Sequence, residues 1–268
     1  MKEFPSLDAH AHLDSAHAAG VLADSGFVLA MTLSLEEAAV AVGRRESRIV
    51  WGVGCHPRKL KAQKAFDAER FRDLAERTPV VGEIGLDTGS HYSHAPLETQ
   101  LQIFRKELEI LADLPRIVSI HSCRANTQVI EELRQQAIVA PILHWWTGTV
   151  AETREAVALG CYFSVHSAVA RHSKFRTVVP RDRILVESDH GFYDPPAAIP
   201  CRIEWAEHLV AQQLGLGRKD VRRLAWQNLS TIVEKTNTHE LLPELFLASM
   251  TEACRETGGV CLGEKRSD

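Results

Sequence analysis

Asp8, His10 and His12 alternate along the stretch LDAHAHLD, a spacing that puts all three side chains on one face of an extended strand. Two neutral imidazoles beside a carboxylate can grip a divalent metal ion. Other ionisable residues stand singly, each at the end of an apolar run: Glu83 in GEIGLD, His121 in RIVSIH, His144 in PILHWW and Asp189 in RILVESD. Taken one at a time, each has an ordinary use as a hydrogen-bonded core residue, a partner for an arginine or a helix cap. Gathered at one place, four histidines and two carboxylates would be costly to desolvate without a cation to neutralise them.

Whether they gather depends on the elements that carry them. Short apolar, often β-branched runs begin near Phe4, Phe27, Arg48, Pro79, Arg116, Pro141, Cys161 and Arg183, and each reads as a strand. Amphipathic segments lie between most of them. The clearest is APLETQLQIFRKELEILADL, where Leu97, Leu101, Phe104, Leu108 and Leu111 recur at helical spacing; the segments after Lys59, Thr127 and Thr149 read the same way, and the one after the first strand is short. Strand and helix alternating eight times, with strands apolar on both faces, predict an α/β fold of parallel strands closed into a TIM-type (β/α)8 barrel. An open doubly wound sheet would carry a glycine-rich phosphate loop after its first strand, and none is present.

In such a barrel the strand ends meet at the C-terminal mouth, so His10, His12, Glu83, His121, His144 and Asp189 should converge there. Six donors exceed what one tetrahedral ion needs, whereas two ions sharing a bridging carboxylate would use them all. Glu83, on the middle strand of the set, is the expected bridge. His10, His12 and Asp189 would then hold one metal, and His121 and His144 the other.

The predicted barrel domain covers residues 1–235, with RIEWAEHLVAQQLG and VRRLAWQNLSTIV as closing helices. Residues 236–268 read as a C-terminal helical extension ending in a frayed tail, GGVCLGEKRSD, and offer a surface for a protein partner. The chain of 268 residues is 45% hydrophobic and 25% charged, a balance that supports a sizeable core in an aqueous setting. A formal net charge of -4 gives no global attraction to polyanions. Any such contact must be local, and two basic groups are placed for it: Arg58, Lys59, Lys61 and Lys64 after the third strand, and Arg171, Lys174 and Arg176 after the seventh. Six scattered cysteines without a C-x-x-C pair argue against a zinc ribbon or a disulfide scaffold and suit reduced thiols in the cytoplasm. MKEFPSLDAH contains no apolar leader and no apolar stretch is long enough to span a bilayer, so no membrane association is expected.

DAHAH at residue 8, GCHP at 54, GEIGLD at 82, IHSCRA at 120, LHWWTG at 143, YFSV after Gly160, RILVESD at 183 and the late Asn228 together resemble the TatD-like metal-dependent hydrolases, in order, over roughly residues 6 to 232. The resemblance implies a TIM-type barrel with two divalent metal ions (magnesium, manganese or zinc), acting as a deoxyribonuclease or exonuclease on single-stranded DNA. Its ligand positions fall on the same six residues. It also implies that His56 lines the site. In that chemistry Asp189 would orient the attacking water and receive its proton, His56 would stabilise the leaving group, and Glu83 would bridge. Arg58, Lys59, Arg124 and Trp145 are the expected substrate contacts.

The chain departs from the family pattern in three places. Cys123 stands where the family has an arginine, with Arg124 one residue later; ESDHGF replaces E-T-D-x-P; and Trp145–Trp146 replaces a Cys-Phe pair. Such departures suit a divergent branch, for example a TatD-like subunit of an anti-phage defence system. The rival reading is a binuclear hydrolase of a small-molecule amide, lactone or phosphoester.

Overall fold

The apolar runs form eight short strands: β1 (Leu7–Ala11), β2 (Phe27–Ala30), β3 (Ile49–Trp51), β4 (Val80–Gly85), β5 (Ile117–His121), β6 (Ile142–His144), β7 (Tyr162–Val165) and β8 (Ile184–Val186). The computed structural model describes residues 4–15, 26–89, 95–191 and 202–255. Every strand residue is buried, which explains why the runs lack a polar alternate face. All neighbours pair in parallel, as β1-β2-β3 and as β4-β5-β6-β7-β8. Two seams join these sets into a ring. A Val53–Val81 bridge links the chain beyond β3 to β4, and the segment after β8 bonds β1 through Asp189 N–H to the His10 carbonyl (3.0 Å) and His12 N–H to the His190 carbonyl (2.6 Å).

Helices follow as α1 (Leu35–Ala41), α2 (Leu60–Lys64), α3 (Ala68–Ala75), α4 (Leu97–Asp113), α5 (Asn126–Gln135), α6 (Val150–Ala158), α7 (Lys174–Thr177), α8 (Glu204–Leu214), α9 (Arg218–Thr236) and α10 (Glu244–Arg255). Local chemistry sets several of their ends. Ser34 and Asp67 accept the free N–H groups that open α1 and α3, Thr149 and Glu152 form a reciprocal capping box on α6, and Gly215 and Asn237 end α8 and α9 in the left-handed conformation. The segment after Lys59 holds two short helices rather than one, because Asp67 starts a fresh helix. Residues 16–25, in the segment after β1, lie outside the described residues.

Two layers of core result. Phe71, Phe104, Leu108, Phe163 and Phe175 fill the space between strands and outer helices. Leu7, Leu29, Met31, Ile142, Tyr162 and Leu185 fill the barrel itself, together with Trp226, Phe246 and Met250 from α9 and α10. The Phe246 ring stands edge-on to Phe27 at 4.9 Å, so α10 packs into the same core as the strands. The tail beyond Arg255 lies outside the described residues.

Candidate metal centre

Strand ends position the ionisable residues. His10 lies on β1 and His12 is the first residue past it; Glu83 lies within β4, His121 and His144 are the last residues of β5 and β6, and Asp189 lies three residues past β8. Two glycines permit the close approach of backbones that this needs. A Cβ at Gly54 would fall 2.4 Å from the Glu83 nitrogen, and one at Gly191, whose φ is +89°, would fall 2.1 Å from the His12 carbonyl oxygen. Asp189, Trp145 and Arg124 adopt φ of 50°, 40° and 54°; left-handed backbone at non-glycine residues is uncommon and gathers at functional sites.

The side chains converge on Glu83. Its Oε1 lies 2.5 Å from His121 Nδ1 and 2.8 Å from His144 Nε2, and its Oε2 lies 3.1 Å from both His12 Nε2 and His56 Nε2. His10 Nε2 is 3.3 Å from His12 Nε2 and 3.6 Å from Asp189 Oδ1, while His12 Nε2 is 3.5 Å from the same oxygen. All seven residues are buried. Within this cluster the donor atoms of His10, His12 and Asp189, of His10, Glu83 and His144, and of His56, Glu83 and His121 each lie within 4.8 Å of one another. The structure thus brings together all six sequence-derived ligands and adds His56 to them. The expected two-way division is not clean, because the His144 ring stacks on His10 at 4.0 Å and stands between the groups.

Ring tautomers separate the histidines by what their outer nitrogens touch. His12 Nδ1 faces the Met31 carbonyl (3.1 Å), His144 Nδ1 faces Glu187 Oε1 (3.3 Å) and His121 Nε2 faces Asp87 Oδ2 (2.8 Å). Those oxygens only accept, so each outer nitrogen carries a proton, which leaves the inner nitrogen as the one that would turn to a metal. His56 is reversed. Its Nδ1 accepts the Arg58 N–H at 3.0 Å, so Nε2 presents a proton to the cluster. His10 Nδ1 lies 2.7 Å from the Ser119 hydroxyl, which can serve either way.

Burial and neighbouring charge pull these groups apart in pKa. Burial pushes His56 down to about 3 and, with repulsion from His144, His10 down to about 4. Against burial, Glu83 and then Glu187 hold His144 up at about 10. Burial raises Asp189 to about 7, partly offset by His144. Glu83, despite complete burial, stays well below its usual range because His56, His144 and His121 surround it. Among the described residues Glu83 Oε2 and Asp189 Oδ1 are buried without a well-aligned hydrogen-bond donor, an expense on the order of 1–3 kcal/mol each unless a cation satisfies them. Inward-facing ring nitrogens, which would give up their protons to a cation, and buried carboxylate oxygens make this donor set fit for divalent ions.

The residues that hold these rings were missed from sequence. Glu187 accepts from the Trp145 N–H (2.8 Å) and from the Ser164 hydroxyl. Asp87 turns toward His121. Asp8 was expected on the same face as His10 and His12, but the β1–β2 register shifts between Asp8 and Ala11; Asp8 leaves the cluster and accepts from Ser188 N–H and Oγ, tying β1 to the chain after β8. The carboxylates of GEIGLD and RILVESD were the available signal.

The cavity above the centre, about 150 Å³, is lined by His56, Arg58, Glu83, His121, Ser122, Cys123, His144, Trp145, Thr147 and Asp189. Of the four expected substrate contacts, Arg58 and Trp145 line it; Lys59 and Arg124 are exposed outside that lining. Trp146 is core, fully buried with its indole N–H on Thr153 Oγ1 at 2.9 Å. Lys174 corrects another expectation. It is buried and its Nζ donates to the Gly148 carbonyl at 2.5 Å, so it braces the start of α7 against the loop after β6 instead of tracking phosphate.

Residues 7–234 match the family described as TatD related DNase. The chain is 32% identical over 216 residues to the 3'-5' ssDNA/RNA exonuclease TatD of Cronobacter turicensis, covering 74% of this chain and 80% of that protein. It is 30% identical over 224 residues to the protein of the same name from Erwinia amylovora, covering 76% and 85%. Among solved structures, a TatD homologue from Escherichia coli K12 superposes with a TM-score of 0.72 at 20% identity, covering 85% of this chain and 97% of that one. A TatD family hydrolase from Entamoeba histolytica gives 0.69 at 14% identity, covering 87% and 99%. These superpositions share the TIM-type barrel.

Proposed function

This chain belongs to the TatD related DNase family, and on that premise we propose that it is a divalent-metal-dependent phosphodiester hydrolase, an exonuclease acting on single-stranded DNA with two metal ions. The observation that carries the proposal is the position of Glu83, whose two oxygens face different histidine pairs, His121 with His144 and His12 with His56. A carboxylate so placed suits a bridge. His10, His12 and Asp189 would hold one ion, and His121 and His144 the other. Ions bound there supply Lewis acidity and neutralise charge on the phosphate.

The remaining work falls to the protein. Asp189, at the cavity wall with its Oδ1 3.5 Å from His12 Nε2, is placed to hold an attacking water and take its proton. His56 acts as a donor rather than a ligand, since its Nε2 presents a proton and it stays neutral; it would steady a phosphate oxygen or the leaving group. Arg58, 3.8 Å from Asp87, offers positive charge at the cavity wall. Trp145, stacked on His166 at 3.8 Å, offers a platform for a base, and Lys59 and Arg124 would meet phosphates farther out. A cytoplasmic setting is part of the proposal, supported by the four described cysteines being free thiols, as is a protein partner for the C-terminal segment. Among the described residues no helix is long and apolar enough to cross a membrane.

End-labelled single-stranded DNA, incubated with metal-stripped protein resupplied with magnesium, manganese or zinc, tests the proposal beside Glu83→Ala. Metal-dependent shortening that the variant loses, with its circular dichroism unchanged, is the expected result. A folded, metal-loaded protein that leaves DNA intact but opens esters or cyclic amides would replace it with the small-molecule reading.

A further inference from the structure

Trp205, the second residue of α8, is 56% exposed, an unusual position for the largest apolar side chain. The helices of a (β/α)8 barrel begin on the side where the strands end, so Trp205 belongs to the rim of the mouth that holds the metal centre. Arg171, from the loop after β7, places its Cζ 5.9 Å from the Trp205 ring centroid. Arg171 is itself exposed and makes no ion pair among the described residues. His208, one turn along α8, stacks on the indole at 5.4 Å with an interplanar angle of 21° and so stiffens it.

The same loop carries the inner platform. His166 stacks on Trp145 at the cavity wall, and Arg171 follows five residues later. An aromatic pair at the cavity and an aromatic–guanidinium pair outside it are thus joined by one short stretch of chain.

We propose that Trp205 and Arg171 form an outer subsite that takes a nucleobase of a single-stranded polynucleotide whose end lies in the cavity. The inference rests on the nuclease reading and adds a second contact point along the strand. A base held between two layers needs about 6.8 Å, twice the stacking step of about 3.4 Å. The present 5.9 Å is within about 1 Å of that, and an exposed arginine side chain can swing by this much. Stacking on an indole tolerates any base, and the guanidinium adds cation–π attraction and charge for a neighbouring phosphate. Such a subsite favours long substrates over short ones without reading sequence.

The test is binding, with metal-loaded full-length protein and fluorescein-labelled phosphorothioate oligothymidylates of three and ten nucleotides, followed by anisotropy. Trp205→Ala should weaken the ten-mer by about 5- to 10-fold, the loss of one stacked base, and leave the three-mer unchanged; Trp205→Phe should restore most of it. A variant that binds the ten-mer as tightly as wild type overturns the subsite alone. So does equal weakening of both lengths, which would place Trp205 at the cavity. Wild type that binds neither length overturns the nuclease reading and the subsite with it.

Discussion

Glu187 Oε1 lies 3.3 Å from His144 Nδ1, on the side of the ring away from Glu83, and so decides which nitrogen of His144 faces the cluster. The same carboxylate accepts the Trp145 N–H, coupling a ring at the centre to the backbone of the residue at the cavity wall. Replacing Glu187 by Gln keeps an acceptor for that N–H and removes the second of the two charges, after Glu83, that make His144 basic. Metal affinity should fall 10- to 100-fold with the fold intact. Calorimetric titration with zinc and far-ultraviolet circular dichroism read the two effects separately, and undiminished affinity would show that Glu187 serves only the loop.

The two adjacent tryptophans should behave oppositely. Trp146→Ala opens a hole in the core and leaves the Thr153 hydroxyl without its donor, at a cost of about 3–5 kcal/mol, visible as a lower urea midpoint. Trp145→Ala should leave that midpoint nearly unchanged while raising KM for oligonucleotides. A Trp145 variant destabilised as much as the Trp146 variant would make both structural.

Glu107 on α4 gives a pH-dependent prediction away from the site. Burial raises its pKa well above the usual carboxylate value, and among the described residues its Oε1 has no hydrogen-bond partner. The folded protein therefore binds this proton more tightly than the unfolded chain does. The stability it contributes is complete below the unfolded pKa of about 4.3 and is lost as pH rises through the raised folded pKa. Glu107→Gln removes this dependence, so its stability relative to wild type should be greater at pH 8 than at pH 5. Urea denaturation at both values measures the difference, and an equal offset at both would show that Glu107 does not titrate in this range.

Stripping the metal should destabilise the protein. Ions that bind only the folded state at a thousandfold excess over Kd contribute about 4 kcal/mol, which corresponds to a Tm shift on the order of 10 °C for a chain of this size. Scanning calorimetry with and without chelator, then after readdition of metal, should show that drop and its recovery. A Tm indifferent to chelation would mean that the cluster is satisfied by protons.

Much of the fold was legible because it follows from local rules. The β-branched runs mark the strands, their lack of a polar face marks parallel pairing, and Leu97 to Leu111 mark α4. The candidate ligands were legible for the same reason, since a barrel delivers every strand's last residue to one mouth. Where the reading fell short, the deciding contact was remote or depended on a single backbone angle. Whether Trp145 or Trp146 enters the core turns on one left-handed residue. Lys174 looked like surface until the loop after β6 offered it a carbonyl.

The sequence alone therefore determined the set of groups that meet, because periodicity and chain order are written residue by residue. The tertiary structure decided what state each group is in. Glu187, 43 positions from His144, and Asp87, 34 from His121, set ring tautomers through hydrogen bonds that no local pattern encodes. Burial then sets the charges, because desolvation is a property of the assembled interior and not of any segment. His10 and His56 fall while His144 rises, although each is a histidine close to Glu83, since neighbours brought from other strands differ in kind and in sign.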